Sequence, residues 1–377
     1  MHEQHSLDEP LYELGDGASV SMMDLLDYFA QVGSMRVSDL HIKVGSPPIY
    51  RVDGSLQKMK GPPLLADTVR AFALSLLSEP EWDLLQRNHS VDSSCFTERM
   101  QFRLNCFKDD DGLALAIRAL ETSPPAVESI GFPNDVWRDI VNKQHGLILV
   151  TGVTGAGKST TIASLLSRIA MSQACRIITL EDPVEYRLRG SMALISQREV
   201  GRDVPSYERG LRDCLREDPD VIFVGEMRDR DSAAWTLTAA ETGHLVFSTL
   251  HTRDCRGTIT RILDMFPSNQ QEEVASQLSL GLSHIISQKL LPRADGAGRV
   301  VAMEVLNNTY SVANLIRHGK IEQLYSQLQT RTKDIPDERM ITLERSLARL
   351  ARSGIVSPLE AERWANHPQA FHEEMQQ

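Results

Sequence analysis

The run Gly152-Val153-Thr154-Gly155-Ala156-Gly157-Lys158-Ser159 constrains this chain more than any other stretch. It fits the pattern G-x-x-x-x-G-K-[ST], in which a strand runs into a glycine loop and the loop opens a helix. The flanks agree with that reading. Gly146–Thr151 (GLILVT) is a continuous apolar run of strand length, as a buried parallel strand should be. Thr160–Ala170 (TTIASLLSRIA) carries Ile162, Leu165, Leu166 and Ile169 at helical spacing. Glycines let backbone N–H groups turn toward a phosphate with no Cβ in the way, and the helix N-terminus adds partial positive charge. The candidate nucleotide contacts are therefore Gly152, Thr154, Gly155, Ala156, Gly157, Lys158, Ser159 and Thr160. Lys158 is expected to reach the β- and γ-phosphates of ATP, and the Ser159 hydroxyl to ligate Mg²⁺. A glycine turn that merely caps a helix is the bland alternative, and the ordered strand, loop and helix argue against it.

At 377 residues the chain is long enough for two or three domains, and its hydrophobic content of 41% supports sizeable cores. A net charge of −11 counts against a general nucleic-acid binder, which needs clustered Lys and Arg. The cysteines Cys95, Cys106, Cys175, Cys214 and Cys255 are scattered, with no C-x-x-C pair, and read as reduced thiols rather than a zinc site. No apolar run approaches the length of a membrane span, and the start MHEQHSLDEP lacks a signal-peptide core. The expectation is a soluble, cytoplasmic protein that meets a membrane only through partners.

Residues 1–20 are polar and acidic and read as a loose extension. Residues 21–120 read as a first domain. Met22–Val32 has helical spacing with Ser21 as N-cap, and Ser38–Val44 and Ile49–Val52 read as strands, the second followed by a turn at Asp53-Gly54. Helical stretches follow near Ala66–Leu77 and Pro80–Gln86. Phe102–Phe107 and Leu113–Leu120 flank a polar turn and predict a β-hairpin. If that hairpin pairs symmetrically about Asp110 and Asp111, Arg103 and Arg118 stand directly opposite each other. On pattern alone they read as two solvated arginines at a sheet edge.

Glu121–Pro133, with three prolines and a glycine, reads as a linker. From 134 to 377 the pattern alternates strand and helix, which implies a parallel sheet covered by helices. Val221–Val224 and Leu245–Leu250 are its clearest later strands, and Val300–Val305 another. C-terminal helices are expected from about 310, including Tyr310–Arg317 and about Glu338–Arg352, with Ser357 capping a last one.

A phosphate loop needs an acid for Mg²⁺ and a group to orient water. Glu226 emerges just past the strand Val221–Val224, at the sheet edge where ligands bind. Glu181, Asp182 and Glu185 crowd another strand end, and any one of them could polarise the attacking water as a general base. His244 begins the strand Leu245–Leu250 and His251 follows its far end, which favours His251 as the group near the γ-phosphate.

Four segments together resemble a known family. GVTGAGKST, LEDPVEY, LREDPDVIFVGEMRD and ETGHLVFSTLHT are similar, in order, to the Walker A, Asp box, Walker B and His box of secretion ATPases. Within these the chain most resembles the type IV pilus retraction ATPases, the PilT- and PilU-like proteins, from about Asp24 to about Arg363. The resemblance implies an N-terminal PAS-like α+β domain followed by a RecA-like P-loop ATPase domain, assembled as a homo-hexamer. It implies Mg-dependent ATP hydrolysis that powers pilus retraction and twitching motility. Partners would be an inner-membrane pilus platform protein and a paralogous pilus ATPase. By resemblance Glu226 is the Walker B acid, Glu185 the catalytic glutamate, and His244 and His251 the residues that sense or bind the γ-phosphate. Arg103 and Arg118 match arginines that face the nucleotide.

The segment Ser311–His318 keeps the NLIR core of a PilT-like stretch but changes its flanks, and Asp295–Arg299 and Glu304–Thr309 look more PilU-like. The competing readings are an accessory or regulatory ATPase that assists another ring, a pilus assembly or type II secretion ATPase, and a RecA-like DNA motor. Assembly and type II relatives usually carry a four-cysteine zinc element and a longer N-terminal region, neither of which is seen here. Net charge and the His box disfavour the DNA motor.

Overall fold

The computed structural model describes residues 5–15, 17–32, 37–52, 55–97, 100–120, 123–296 and 298–376. It divides into two compact units, 1–123 with 185–187 and 124–184 with 188–377, and each is taken by itself.

The first unit is α+β. Strands β1 (Pro10–Glu13) and β2 (Ser19–Ser21) pair antiparallel and lead into α1 (Met22–Val32). Ser21 caps α1 reciprocally with Asp24: Ser21 N donates to Asp24 Oδ2 at 2.9 Å, and Asp24 N donates to Ser21 Oγ at 3.1 Å. Then come β3 (Val37–Lys43), β4 (Ile49–Val52), β5 (Ser55–Lys58), α2 (Ala66–Leu76), α3 (Glu79–Asn88), β6 (Ser90–Phe96), β7 (Gln101–Asp109) and β8 (Gly112–Leu120). Six strands make one antiparallel sheet in the order β5-β4-β3-β8-β7-β6. Alternation decides its faces. Leu40, Ile42, Phe102, Leu104, Leu115 and Ile117 are buried in one core with Leu25, Leu26 and Phe29 of α1. Phe29 meets Tyr50 and Phe102 edge-on, at centroid distances of 5.7 and 5.3 Å.

Two expectations change here. Residues 1–20 are not loose where described, because Tyr12 is buried and its hydroxyl donates to Pro62 O at 2.7 Å, which anchors β1. Arg103 and Arg118 do pair across the β7–β8 hairpin, but β7 and β8 are interior strands, so neither arginine lies on an edge. The expected turn at Asp53-Gly54 and the first linker residues, Glu121 and Thr122, lie outside the described residues.

The second unit is α/β. Its elements begin with α4 (Val136–Val141), β9 (Gly146–Thr151), α5 (Lys158–Ser172), β10 (Arg176–Glu181), β11 (Leu194–Glu199), α6 (Tyr207–Cys214) and β12 (Val221–Val224). They continue through α7 (Arg230–Glu241), β13 (Leu245–Leu250), α8 (Cys255–Leu263), α9 (Gln271–Gly281), β14 (Leu282–Pro292) and β15 (Arg299–Asn307). The sheet order is β11-β10-β12-β13-β9-β14-β15, parallel except for β15. After β9 the chain skips outward to β10 and β11, then fills back through β12 and β13. This is a RecA-like P-loop core with β9 in its interior. Leu147 and Leu149 of β9 join the core with α6 to α9, while Ile148 and Val150 are buried on the opposite face. The buried stripe of α5 includes Ile162, Leu165, Leu166 and Ile169.

Helices α10 (Tyr310–Arg317), α11 (Leu324–Asp334), α12 (Leu343–Arg352), α13 (Pro358–Trp364) and α14 (Pro368–Met375) complete the unit. The helix expected from Glu338 starts later, because Thr342 accepts from Arg345 N and so caps α12 at Leu343. Ser357 caps α13 by accepting from Glu360 N at 3.2 Å. A small separate core joins Leu343, Leu347 and Phe371 to Leu291 and Ala302 of the β14–β15 pair.

Candidate active site

The site begins where β9 ends. Gly152 has φ +148°, and a Cβ built on it would stand 2.5 Å from the Gln288 carbonyl oxygen. Only glycine lets the chain leave β9 this close to β14. Gly155 and Gly157 hold the loop in left-handed backbone, and α5 starts at Lys158. The first N–H groups of a helix have no acceptor within it, and its dipole favours an anion there. Thr154 and Gly155 are exposed, Gly157, Ser159 and Thr160 are half-buried, and Ala156 is buried.

Lys158 is buried, with 9% exposure. Its Nζ donates to the carbonyls of Gly152 at 2.8 Å and Val153 at 3.3 Å, so the side chain curls back along the loop. The same ammonium is 3.4 Å from Nδ1 of His251. On the other side of that ring, Nε2 lies 3.3 Å from Glu226 Oε1. Both contacts fit one tautomer, with Nδ1 accepting from Lys158 and the Nε2 proton aimed at Glu226.

Glu226 follows β12 and is held from a second direction. Arg228 Nε donates to Glu226 Oε2 at 2.9 Å and Arg228 Nη1 to Asp182 Oδ2 at 3.2 Å. The hydrogen bond to Glu226 raises the Arg228 pKa above its ordinary value. Thr249 of β13 fixes the turn before Glu226 by donating to Gly225 O at 2.6 Å. Burial, with the Asp182 charge alongside, pushes the Tyr207 phenol up, so the hydroxyl next to this turn stays neutral.

The three acids after β10 separate cleanly. Glu181 is buried, and its Oε1 accepts from Thr179 at 2.7 Å and from Gln197 of β11 at 3.1 Å. It braces two strands and is unsuited to be a mobile base. Asp182 is taken by Arg228. Glu185 is exposed and groups with the first unit.

His244 is not brought to the loop. Its Nδ1 lies 2.9 Å from Ala239 O and 3.1 Å from Thr242 Oγ1, at the end of α7. Strand β13 runs between His244 and His251, which separates them by about 20 Å at the usual rise per residue. A strand start and a strand end cannot meet at one edge of the same sheet.

In the first unit, Arg118 Nε donates to Asp39 Oδ1 at 2.8 Å, while Arg103 is exposed. Burial works to raise the Asp39 carboxyl, but hydrogen bonds from Ser38 and Arg118 outweigh it and hold the pKa below the ordinary value. The register continues this line across the sheet as Arg51, Asp39, Arg118, Arg103 and Ser94.

Arg228 and Gln288 are the site residues that sequence reasoning missed. Arg228 was within reach, two positions after Glu226 in the GEMRD segment. Gln288 gives no local signal, since its partners are more than a hundred positions away.

Ser159, half-buried in the first turn of α5, and Glu226, just past β12, offer hydroxyl and carboxylate oxygens, the hard donors that Mg²⁺ takes. The model of the type II/IV secretion system protein family matches residues 36–335. The type IV pilus retraction ATPase PilT of Pseudomonas aeruginosa is 37% identical over 350 residues, 93% of this chain and 100% of that protein. The type IV pilus ATPase PilU of the same organism is 32% identical over 321 residues, 85% of this chain and 83% of that protein. A crystal structure of the pilus retraction motor PilT with bound ADP matches with TM-score 0.85 and 40% identity, covering 94% of this chain and 99% of that one. The chain is thus a P-loop ATPase of the type II/IV secretion system protein family and belongs to its PilT/PilU-like pilus retraction branch.

Proposed function

We propose that the chain works as a hexameric ATP-hydrolysing motor that powers type IV pilus retraction from the cytoplasmic face of the inner membrane. The observation that carries the reading is the meeting of Lys158, His251 and Glu226 at one end of the β9–β13 pair. The glycine loop and the start of α5 bind the phosphates. Lys158 leaves the loop carbonyls for the β- and γ-phosphates, while His251 stays beside them with its Nε2 proton on Glu226. Ser159 and Glu226 hold Mg²⁺, which supplies charge neutralisation at the phosphate oxygens when bound. Glu185 takes the proton of the attacking water as general base, since Glu181 and Asp182 are engaged elsewhere. His244 supports the site at a distance by fixing the start of the strand that carries His251. Arg103 and Arg118 serve the nucleotide as cations, in a first unit of PAS-like design.

No described helix is long and apolar enough to cross a membrane, so attachment falls to partners, an inner-membrane pilus platform protein and a paralogous pilus ATPase. Similarity to PilT covers more of the chain than similarity to PilU and at higher identity, which favours the motor over an accessory role. Deleting the gene in its own host and imaging labelled pili tests this. Pili that extend and no longer retract support the motor; loss of all pili would show an assembly ATPase instead.

A further inference from the structure

Strand β14 lies between β9 and β15, and Gln288 on it is 1% exposed. A primary amide in such a place must use both its ends. Here Nε2 donates to Ala156 O at 2.6 Å, and Oε1 accepts from Thr161 Oγ1 at 2.9 Å. Ala156 belongs to the glycine loop and Thr161 to α5. The backbone of Gln288 closes on the loop as well, for its carbonyl oxygen is 2.5 Å from where a Gly152 Cβ would be. A Cβ on Gly157 would stand 3.3 Å from Gln288 Nε2. One residue therefore touches the loop at its entry, its middle and its exit.

We propose that Gln288 is a positioning residue of the ATPase reaction, one that aims a phosphate-binding N–H of the loop. The argument is peptide geometry. The Ala156–Gly157 peptide is planar and trans, so its C=O and N–H point in opposite directions. Gln288 Nε2 holds the Ala156 carbonyl toward β14, and the Gly157 N–H is thereby turned away from β14. With the tether cut, this peptide can rotate about Ala156 ψ and Gly157 φ, and the second of these, at a glycine, resists rotation least of all residues. Gly157 N–H is then aimed only part of the time. Its bond is to phosphate in ground state and transition state alike, so the loss falls on binding rather than on the chemical step.

The inference rests on the loop's binding ATP. Gln288→Met matches length and volume but donates and accepts nothing. Gln288→Glu at pH 8 can still accept from Thr161 yet cannot donate to Ala156 as a carboxylate. Magnesium-free ADP is titrated into the full nucleotide-free chain by calorimetry, and ATP hydrolysis is followed in parallel. Both variants should weaken ADP and raise the KM for ATP roughly ten- to a hundredfold, the scale of one charge-assisted hydrogen bond, with kcat within about threefold. Melting without nucleotide should stay near that of the parent chain. ADP affinity within about twofold of the parent, a fall in kcat equal to that in kcat/KM, or failure of both variants to fold would each overturn the inference. Absence of ADP binding by the parent chain would overturn the nucleotide site itself, and this inference with it.

Discussion

The ammonium of Lys158 lies 3.4 Å from Nδ1 of His251, although the two residues come from different strand ends. With Nε2 of the same ring 3.3 Å from Glu226, the imidazole stands between Lys158 and Glu226. His251→Ala removes the link between Glu226 and the Lys158 ammonium, the donor aimed at developing charge. Turnover should fall about 10²-fold in a steady-state ATPase assay, the scale of one lost transition-state donor. A variant with parental kcat would remove His251 from the mechanism.

Glu185 and Glu226 should separate by their Mg²⁺ dependence. Glu185→Gln keeps shape and one acceptor but takes no proton, so ATP and Mg²⁺ still bind while turnover falls about 10²–10⁴-fold. Glu226→Gln should lower turnover and also raise the Mg²⁺ concentration needed at fixed ATP. The reverse pattern, with Mg²⁺ dependence shifted only by Glu185→Gln, means the roles are exchanged.

The sequence made the site legible wherever its parts are local. The strand, loop and helix from Gly146 to Ala170 are adjacent in the chain, and each has its own periodicity. The β7–β8 register followed from a short turn, and the caps at Ser21 and Ser357 from residues three apart. Strand β14 escaped because it does not alternate. Its polar residues Ser283, His284, Ser287 and Gln288 are all buried; Ser283 bonds its neighbour His284, while the partners of Gln288, Ala156 and Thr161, are distant in sequence. Strand β11 escaped for the opposite reason, since LISQRE has few apolar residues and forms the sheet edge. The early hairpin depends on Tyr12 reaching Pro62, fifty positions on. Helical spacing near Glu338 was real, but only the Thr342 cap says where α12 begins.

Arg103 and Arg118 stand opposite each other and should still behave differently. Arg103 is exposed, so Arg103→Ala should change stability by less than about 0.5 kcal/mol while cutting turnover. Arg118→Ala also strips a donor from buried Asp39 and should cost about 1 kcal/mol, a modest figure because the arginine itself is largely in water. Urea unfolding and ATPase rates of both variants check this. Under the proposed hexameric assembly, either variant mixed with the parent chain should lower the rate more than in proportion to its share; a strictly proportional fall argues against that assembly.

Stability should carry a signature of Glu304. Burial raises its carboxyl from 4.5 to about 7, with Glu344 and Asp254 nearby adding to the rise and the Cys255 N–H opposing it. Between those values the folded chain holds a proton that the unfolded chain has lost, so this group makes stability fall as pH rises from 4.5 toward 7. Glu304→Gln keeps the acceptor for Cys255 N and has no proton to lose. Relative to the parent, it should therefore be more stable at pH 8 than at pH 5 by roughly 3 kcal/mol. Equal differences in urea unfolding at the two pH values would show that Glu304 titrates normally.

Steady-state hydrolysis of ATP with Mg²⁺ by the purified full chain, beside Lys158→Ala, tests the central claim most directly. On the proposed reading the lysine charge serves the phosphates, and its loss leaves the Gly152 and Val153 carbonyls to water. The parent chain should turn over ATP without any other pilus ATPase present, and Lys158→Ala should abolish turnover while keeping the parental circular dichroism and the parental assembly mass. A parent chain silent on its own, or a Lys158→Ala rate equal to the parent's, would contradict the account.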